Sequence, residues 1–129
     1  MLRPACALAL AGVALAACGG GPSDEEQVRQ TVTAFGHATA AKDYRRLCDD
    51  LLAPRLIAQV QSVGLPCEAA LQRGLGRVRD AQLVVGRITV AGQTARAEVR
   101  TSAAGQAPSR DVLRLAKVKG RWRIASLGR

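Results

Sequence analysis

The sequence predicts a small α+β domain in which helices come first and a four-stranded antiparallel meander follows. Three observations carry that expectation. Apolar residues recur at helical spacing from Val28 to Leu71. After Asp80 the chain becomes rich in β-branched residues, and from Thr94 to Thr101 it alternates strictly, with Ala95, Ala97 and Val99 facing one way and Arg96, Glu98 and Arg100 the other. Glycine turns at Ala91-Gly92-Gln93 and Lys119-Gly120 then join neighbouring strands.

The first helix is expected to begin at Ser23-Asp24-Glu25-Glu26. This is a capping box, in which the Ser hydroxyl and a Glu carboxylate each satisfy a free backbone N–H. Val28, Val32, Phe35 and Thr39 form its inward stripe, and it runs to about Ala41. Lys42-Asp43 breaks it, with Asp43 as cap of a second helix that sets Tyr44, Leu47, Cys48 and Leu51 on one face. Pro54 opens a third helix with Leu56, Ile57 and Val60 inward, and Gly64 closes it. Pro66 precedes a fourth, from Cys67 to about Leu75. The strands are read as Gln82–Val90, Thr94–Thr101, Arg110–Val118 and Arg121–Leu127, with a longer loop from Ala103 to Pro108.

The N-terminus reads as an export leader. Arg3 supplies the positive end, Ala5 to Ala14 is apolar apart from Gly12, and small residues follow. An apolar run that short does not cross a hydrocarbon core about 30 Å thick. Leu15-Ala16-Ala17-Cys18, followed by Gly19-Gly20-Gly21, resembles the lipobox of bacterial lipoproteins. The alternative is an ordinary secretory leader cut near Ala17. The resemblance implies cleavage before Cys18, palmitate or a similar lipid on that cysteine, and attachment to the outer face of the bacterial cell membrane. It divides the chain into a signal peptide (1–17), a lipidated cysteine with a flexible tether (18–23) and a globular domain (24–129). One acyl chain holds a protein only marginally; the resemblance implies two or three.

Cys48 and Cys67 are the other cysteines of the expected mature chain, since Cys6 leaves with the leader. Two thiols in an oxidising compartment read as a disulfide. Zinc fits less well, because it takes four ligands and His37 is the single histidine. A redox pair more typically has Cys-x-x-Cys spacing. No metal and no cofactor are expected.

Net charge is +9, and it is unevenly distributed. Asp24 to Glu68 holds seven acids and five bases, whereas Ala69 to Arg129 holds three acids and thirteen bases. The second half therefore favours anionic partners. Outside the cell membrane these are anionic lipid or wall polymer; nucleic acid is not expected there, and Phe35, Tyr44 and Trp122 are the only aromatic residues available for stacking. Alternation sends Arg96, Arg100, Arg114, Arg121 and Arg123 to the outer sheet face as one basic stripe. A solvated face that aids solubility is the plainer reading of the same charges.

The order of elements, the Lys42-Asp43-Tyr44 break, Gly92-Gln93-Thr94-Ala95 and the ending Gly120-Arg121-Trp122-Arg123-Ile124 resemble the nuclear transport factor 2-like (cystatin-like, SnoaL-like) superfamily, over about Glu25 to Leu127. The resemblance implies a curved sheet wrapped around the first helix as a cone that often holds a pocket. Enzymes of the superfamily commonly place an Asp, a Tyr or a His there, which makes His37, Tyr44 and Trp122 the pocket candidates. Read from the residues, His37 is a surface histidine offset from the apolar stripe, Tyr44 a packed tyrosine and Trp122 the anchor of the last strand. Asp49-Asp50 diverge by about 100° on a helix and do not share a proton. No nucleophile motif or phosphate-binding glycine loop is present. The expectation is a membrane-anchored, non-enzymatic binding or support domain without catalytic residues. The alternatives are an enzyme or an apolar carrier using the cone, and a module whose sheet face pairs with a second copy.

Overall fold

The structure is a computed structural model that describes residues 20–128. The expected signal peptide, Cys6 and Cys18 lie outside the described residues.

Helix α1 (Asp24–Ala40) starts as its sequence directs. The Glu26 N–H donates to Ser23 Oγ at 3.2 Å, and Asp24, Glu25 and Glu26 stand at the positive end of the helix dipole. Among the described residues the capping box is half formed: the bond from the Ser23 N–H to the Glu26 carboxylate is absent. Val28 and Val32 are fully buried, Ala38 is buried with them, and Phe35 packs at the margin.

After Lys42, which takes a positive φ, the Arg46 N–H donates to Asp43 Oδ1 and helix α2 (Tyr44–Arg46) begins. The expected regular helix does not continue. Leu47–Leu51 winds as a wide π-helical turn, closed by the Leu52 N–H on the Leu47 carbonyl. That closure hands Leu52 and Ala53 to extended backbone, where Leu52 bridges Ile124 in parallel and the Ala53 N–H donates to the Ile124 carbonyl at 2.7 Å. The turn thus delivers chain to the open edge of the last strand, a demand that helical periodicity does not reveal.

Helix α3 (Pro54–Gln61) has Pro at its first position and buries Leu56. Gly64 follows it with φ +86°. Helix α4 (Cys67–Leu75) carries Cys67 at its first residue, disulfide-bonded to Cys48 in the wide turn. The Lys42 ammonium donates to the Gly76 carbonyl, holding the end of α4 against the end of α1.

Strands β1 (Gln82–Ala91), β2 (Thr94–Ala103), β3 (Gln106–Val118) and β4 (Arg121–Ser126) form one antiparallel sheet in that order. The expected loop at Ala103–Pro108 is instead a tight turn at Ala104-Gly105, with Gly105 at φ +75°. β3 therefore starts earlier than Arg110. Pro108 is accommodated because the register slips between Thr101 and Ala103, so the residue without an N–H sits in a bulge. In β1, Gly86 and Arg87 lie between Val85, opposite Val99, and Ile88, opposite Ala97. This bulge turns both Val85 and Ile88 inward although they are three apart.

The helices cover one sheet face. Ile88, Ala95, Ala97, Val99, Leu113, Leu115, Trp122 and Ile124 meet Val28, Val32 and Leu47 in a single core. Every member of that core lies between Val28 and Ile124, so a chain beginning at Gly20 carries all of it. α1 approaches β1 closely at Gly36, where a Cβ would stand 3.0 Å from that of Leu83.

Removing the disulfide by Cys48→Ala with Cys67→Ala should lower the unfolding free energy in urea melts by about 2–4 kcal/mol. Gly74→Ala, in α4 with nothing within 4 Å of the added methyl, should raise it by roughly 0.5–1 kcal/mol. The same change at Gly36 should fall short of that gain because the methyl meets Leu83. Equal gains at both glycines would contradict the close approach.

Candidate functional site

The interior of the cone is occupied by side chains. Ala95, Ala97, Val99, Leu113 and Leu115 are all nearly inaccessible beneath α1. His37, Tyr44 and Trp122 are not brought together. His37 is exposed on α1, in a shallow surface recess with Glu26, Arg29 and Arg46. Tyr44 packs at the edge of the core, and its hydroxyl is buried without a hydrogen-bond partner among the described residues. Trp122 is buried, with its indole edge toward α1. Asp43 caps α2, while Asp49 and Asp50 are exposed. Among the described residues, no three His, Cys, Asp or Glu side chains are placed to hold a metal ion. Also among them, no helix is long and apolar enough to cross a membrane.

Asp24 has a role that the sequence did not reveal. Its Oδ1 accepts from Lys117 Nζ at 2.9 Å and from Trp122 Nε1 at 3.1 Å. The Lys117 ammonium also stands 5.7 Å from the centroid of the Trp122 ring. The hydrogen bond from Lys117, then that from Trp122, hold the Asp24 carboxyl below its ordinary value. The first turn of α1 is thereby tied to the hairpin of β3 and β4, across more than ninety residues of chain. Local sequence identified Asp24 only as a favourable first-turn charge.

At the other end of the sheet the inner face becomes polar. Beyond the helical layer, Thr101 and Ser109 hydroxyls bond at 2.8 Å, and the Ser109 hydroxyl donates to Asp111 Oδ2 at 2.9 Å. Thr101 and Ser109 border a recess of about 230 Å³ lined also by Gly36, Thr39, Leu83 and Gln106. It is open to solvent and holds no buried acid or base.

The outer sheet face carries four exposed arginines on two adjacent strands. The β2–β3 register sets Arg96 directly opposite Arg114, and Arg100 directly opposite Arg110. Like charges in that relation repel, since directly opposed Cβ atoms are only about 4.5–5.5 Å apart. Glu98, between the two pairs, is opposite Val112 and forms no ion pair among the described residues. Two open grooves cross the face. One, of about 640 Å³, passes Val84, Glu98, Arg100, Arg110 and Val112. The other, of about 680 Å³, passes Arg96 and Arg114 and is bordered by Arg55 at the start of α3.

The register keeps all five expected arginines out of phase with the inward residues of their strands, and the structure gives them different surroundings. Arg96, Arg100 and Arg114 lie on the outer face, exposed; Arg110 and Arg55 join them. Arg123 is partly buried, and its guanidinium donates to the Asp49 carbonyl at 2.9 Å. Because β4 is an edge strand, that side chain reaches around the edge to the wide turn. Arg121 lines a different recess, with Arg46, Asp50 and Trp122.

A family model described as "Putative lumazine-binding" matches residues 67–127, from α4 through β4, which is less than half of the chain. No curated protein matches. Among solved structures, the chain is similar to an NTF2-like protein of unknown function from Shewanella baltica OS155, at 16% identity and a TM-score of 0.55, covering 78% of this chain and 87% of that one. It is also similar to a de novo designed NTF2 fold protein, at 16% identity and a TM-score of 0.54, covering 82% of this chain and 87% of that one. An LEH-like epoxide hydrolase of M. tuberculosis aligns at 20% identity with a TM-score of 0.46, over 80% of this chain and 84% of its own. The first two likenesses show the fold: helices on a curved four-stranded antiparallel sheet in the nuclear transport factor 2-like arrangement.

The Asp24 contacts predict a pH dependence. A carboxyl whose folded pKa is depressed contributes stability that is complete above its ordinary value of 3.8 and is lost as pH falls through the lower folded value. Urea melts followed by Trp122 fluorescence should show that acid limb, and Asp24→Asn should flatten it. An unchanged limb in the variant would remove Asp24 as its source.

Proposed function

We propose that the chain is an exported lipoprotein, anchored through lipid on Cys18 to the outer face of the bacterial cell membrane, whose domain binds or supports a partner and performs no acid–base chemistry inside its cone. Support for the anchor comes from Leu15-Ala16-Ala17-Cys18 and the glycines after it. α1 starts at Asp24, which leaves a short tether between membrane and fold.

The observation that carries the non-enzymatic reading is the filled interior. A general acid or base must come within about 2.6–3.2 Å of the proton it moves, directly or through one water. The space where the fold would bring a substrate is occupied by Ala95, Ala97, Val99, Leu113 and Leu115 against Val28 and Val32. His37 and Tyr44 lie apart from each other, in a surface recess and at the core margin.

A second reading places a small neutral ligand at the polar mouth of the cone. It is supported by the recess bordered by Thr101, Ser109 and Gln106, with Leu83 as an apolar floor. The description of the family matched by residues 67–127 names lumazine binding, and all of the recess except Gly36 and Thr39 falls within that segment.

Each reading has its own measurement. Cys18→Ser should move the protein from the detergent phase to the aqueous phase of cell extracts, and unchanged partitioning would sink the anchor. Titration of lumazine into a chain starting at Gly20, by calorimetry, should show saturable binding that Ser109→Val weakens tenfold or more if the mouth is a ligand site. Absence of heat at millimolar lumazine would dismiss lumazine as its ligand.

A further inference from the structure

We infer that the outer sheet face is a docking surface for the anionic phospholipid headgroups of the membrane to which the chain is tethered; its geometry rests on the tethered reading above. Four arginines, in two directly opposed pairs, project from β2 and β3: Arg96 with Arg114 and Arg100 with Arg110. All four are exposed, and among the described residues none of them forms an ion pair. Arg55 extends the same groove from the start of α3. Glu98 is the only acid among the residues lining the two grooves other than Asp111, whose carboxylate accepts from Ser109 on the inner side.

A sheet gains nothing internally from opposing arginines, because they repel and occupy positions where an aromatic or β-branched pair would stabilise. Their charge is complementary to an anionic layer. The tether makes that layer the nearest one. Asp24 is held at the β3–β4 hairpin by Lys117 and Trp122, so the chain leaves the fold at that end of the sheet. The five residues between Cys18 and Asp24 span at most about 18 Å. Arg114 is three residues along β3 from Lys117, about 10 Å, and Arg110 is seven residues away, about 23 Å. The tether leaves on the helical side and passes the β3–β4 hairpin end, and with the sheet flat on the bilayer both pairs face it together. Each cation brought to an anionic surface multiplies binding about fivefold, so a handful of weak contacts suffices once a lipid anchor holds the domain nearby.

The other occupants fit less well. A second copy of this face would set arginine against arginine. Nucleic acid needs stacking platforms, and Phe35, Tyr44 and Trp122 all lie on the helical side of the sheet. Apolar residues between the arginines, Val84 and Val112, are too few for an apolar protein interface but suit contact with the headgroup layer.

The test uses the chain from Gly20, which carries the whole core and no lipid, and so reads the face independently of the anchor. In cosedimentation it should bind vesicles containing phosphatidylglycerol and leave pure phosphatidylcholine vesicles unbound. Binding should weaken as ionic strength rises from 0.01 to 0.15 M and the screening length falls from about 30 to about 8 Å. Arg96→Gln with Arg114→Gln should reduce binding tenfold or more while leaving the melting temperature equal or a few degrees higher, since a repulsive pair is removed. Arg100→Gln with Arg110→Gln should do the same. Arg73→Gln with Arg77→Gln, which lowers net charge equally on and after α4, should cost less than about threefold. Equal binding to both vesicle types, indifference to salt, or an equal loss in the α4 variant would overturn the inference. So would binding to a soluble polyglycerol phosphate with no attraction to the vesicles. Failure of Cys18→Ser to change partitioning would instead remove the tether and leave the vesicle result standing.

Discussion

The register of β2 against β3 is the constraint on which the rest of this structure depends. It places Ala95 beside Leu115 and Ala97 beside Leu113 on one face, and Arg96 beside Arg114 and Arg100 beside Arg110 on the other. A slip by one residue would exchange the two sets, burying guanidinium groups and exposing the core. The burial of an isolated charge is so costly that one-residue slips are excluded. The tight turn at Ala104-Gly105 and the bulge around Pro108 work within it: they absorb the irregular residues at the hairpin end and leave the central pairs aligned.

The same pairing explains why the cone is closed. β2 contributes alanines at its first two inward positions, Ala95 and Ala97, and small side chains let α1 settle close to the sheet. The helix is fixed near both ends, by Asp24 against Lys117 and Trp122 and by the bare backbone of Gly36 against Leu83. Val28 and Val32 then fill the space between. The remaining polar chemistry is displaced to where the strands outrun the helices, at Thr101, Ser109 and Asp111, and to the outside of the sheet. Exposed polar and charged groups thus lie at the mouth and on the outer face, because apolar side chains fill the interior.

Much of this was legible in the sequence, and the parts that were not share a cause. Local signals identified the Ser23 cap, the Asp43 cap, Pro54 at a helix start, the α4 boundaries and the alternation of β2, because each is written within a few residues. The π-helical turn at Leu47–Leu51 was not legible, since its purpose is to deliver Leu52 to β4, far along the chain. Local sequence marks Asp24 only as a dipole partner, because its hydrogen-bond partners lie on the last hairpin. At the candidate face, alternation identified Arg96, Arg100 and Arg114. It could not show that they face Arg114, Arg110 and Arg96 respectively, because opposition is a property of register and not of period. Alternation places Arg123 on the outer face, and only the edge position of β4 shows that its guanidinium turns to the Asp49 carbonyl.

Charge distribution ties the fold to a direction in space. Asp24 to Glu68 is net acidic, and Ala69 to Arg129 carries a large positive excess. The chain order of an α+β domain, helices first and strands after, converts that linear asymmetry into a spatial one. The acid-rich segment forms most of the helical layer, and the arginine-rich segment forms the whole sheet. A body polarised in this way experiences a torque in any external field, in addition to net attraction, so an anionic surface orients it before contact. The opposed arginine pairs sharpen the effect, because four of the exposed charges are concentrated on two adjacent strands instead of being spread around the surface. Dispersing them would preserve net charge and solubility, and would relieve the cross-strand repulsion. Solubility alone therefore accounts for the number of arginines in this half of the chain and leaves their placement on one face unexplained.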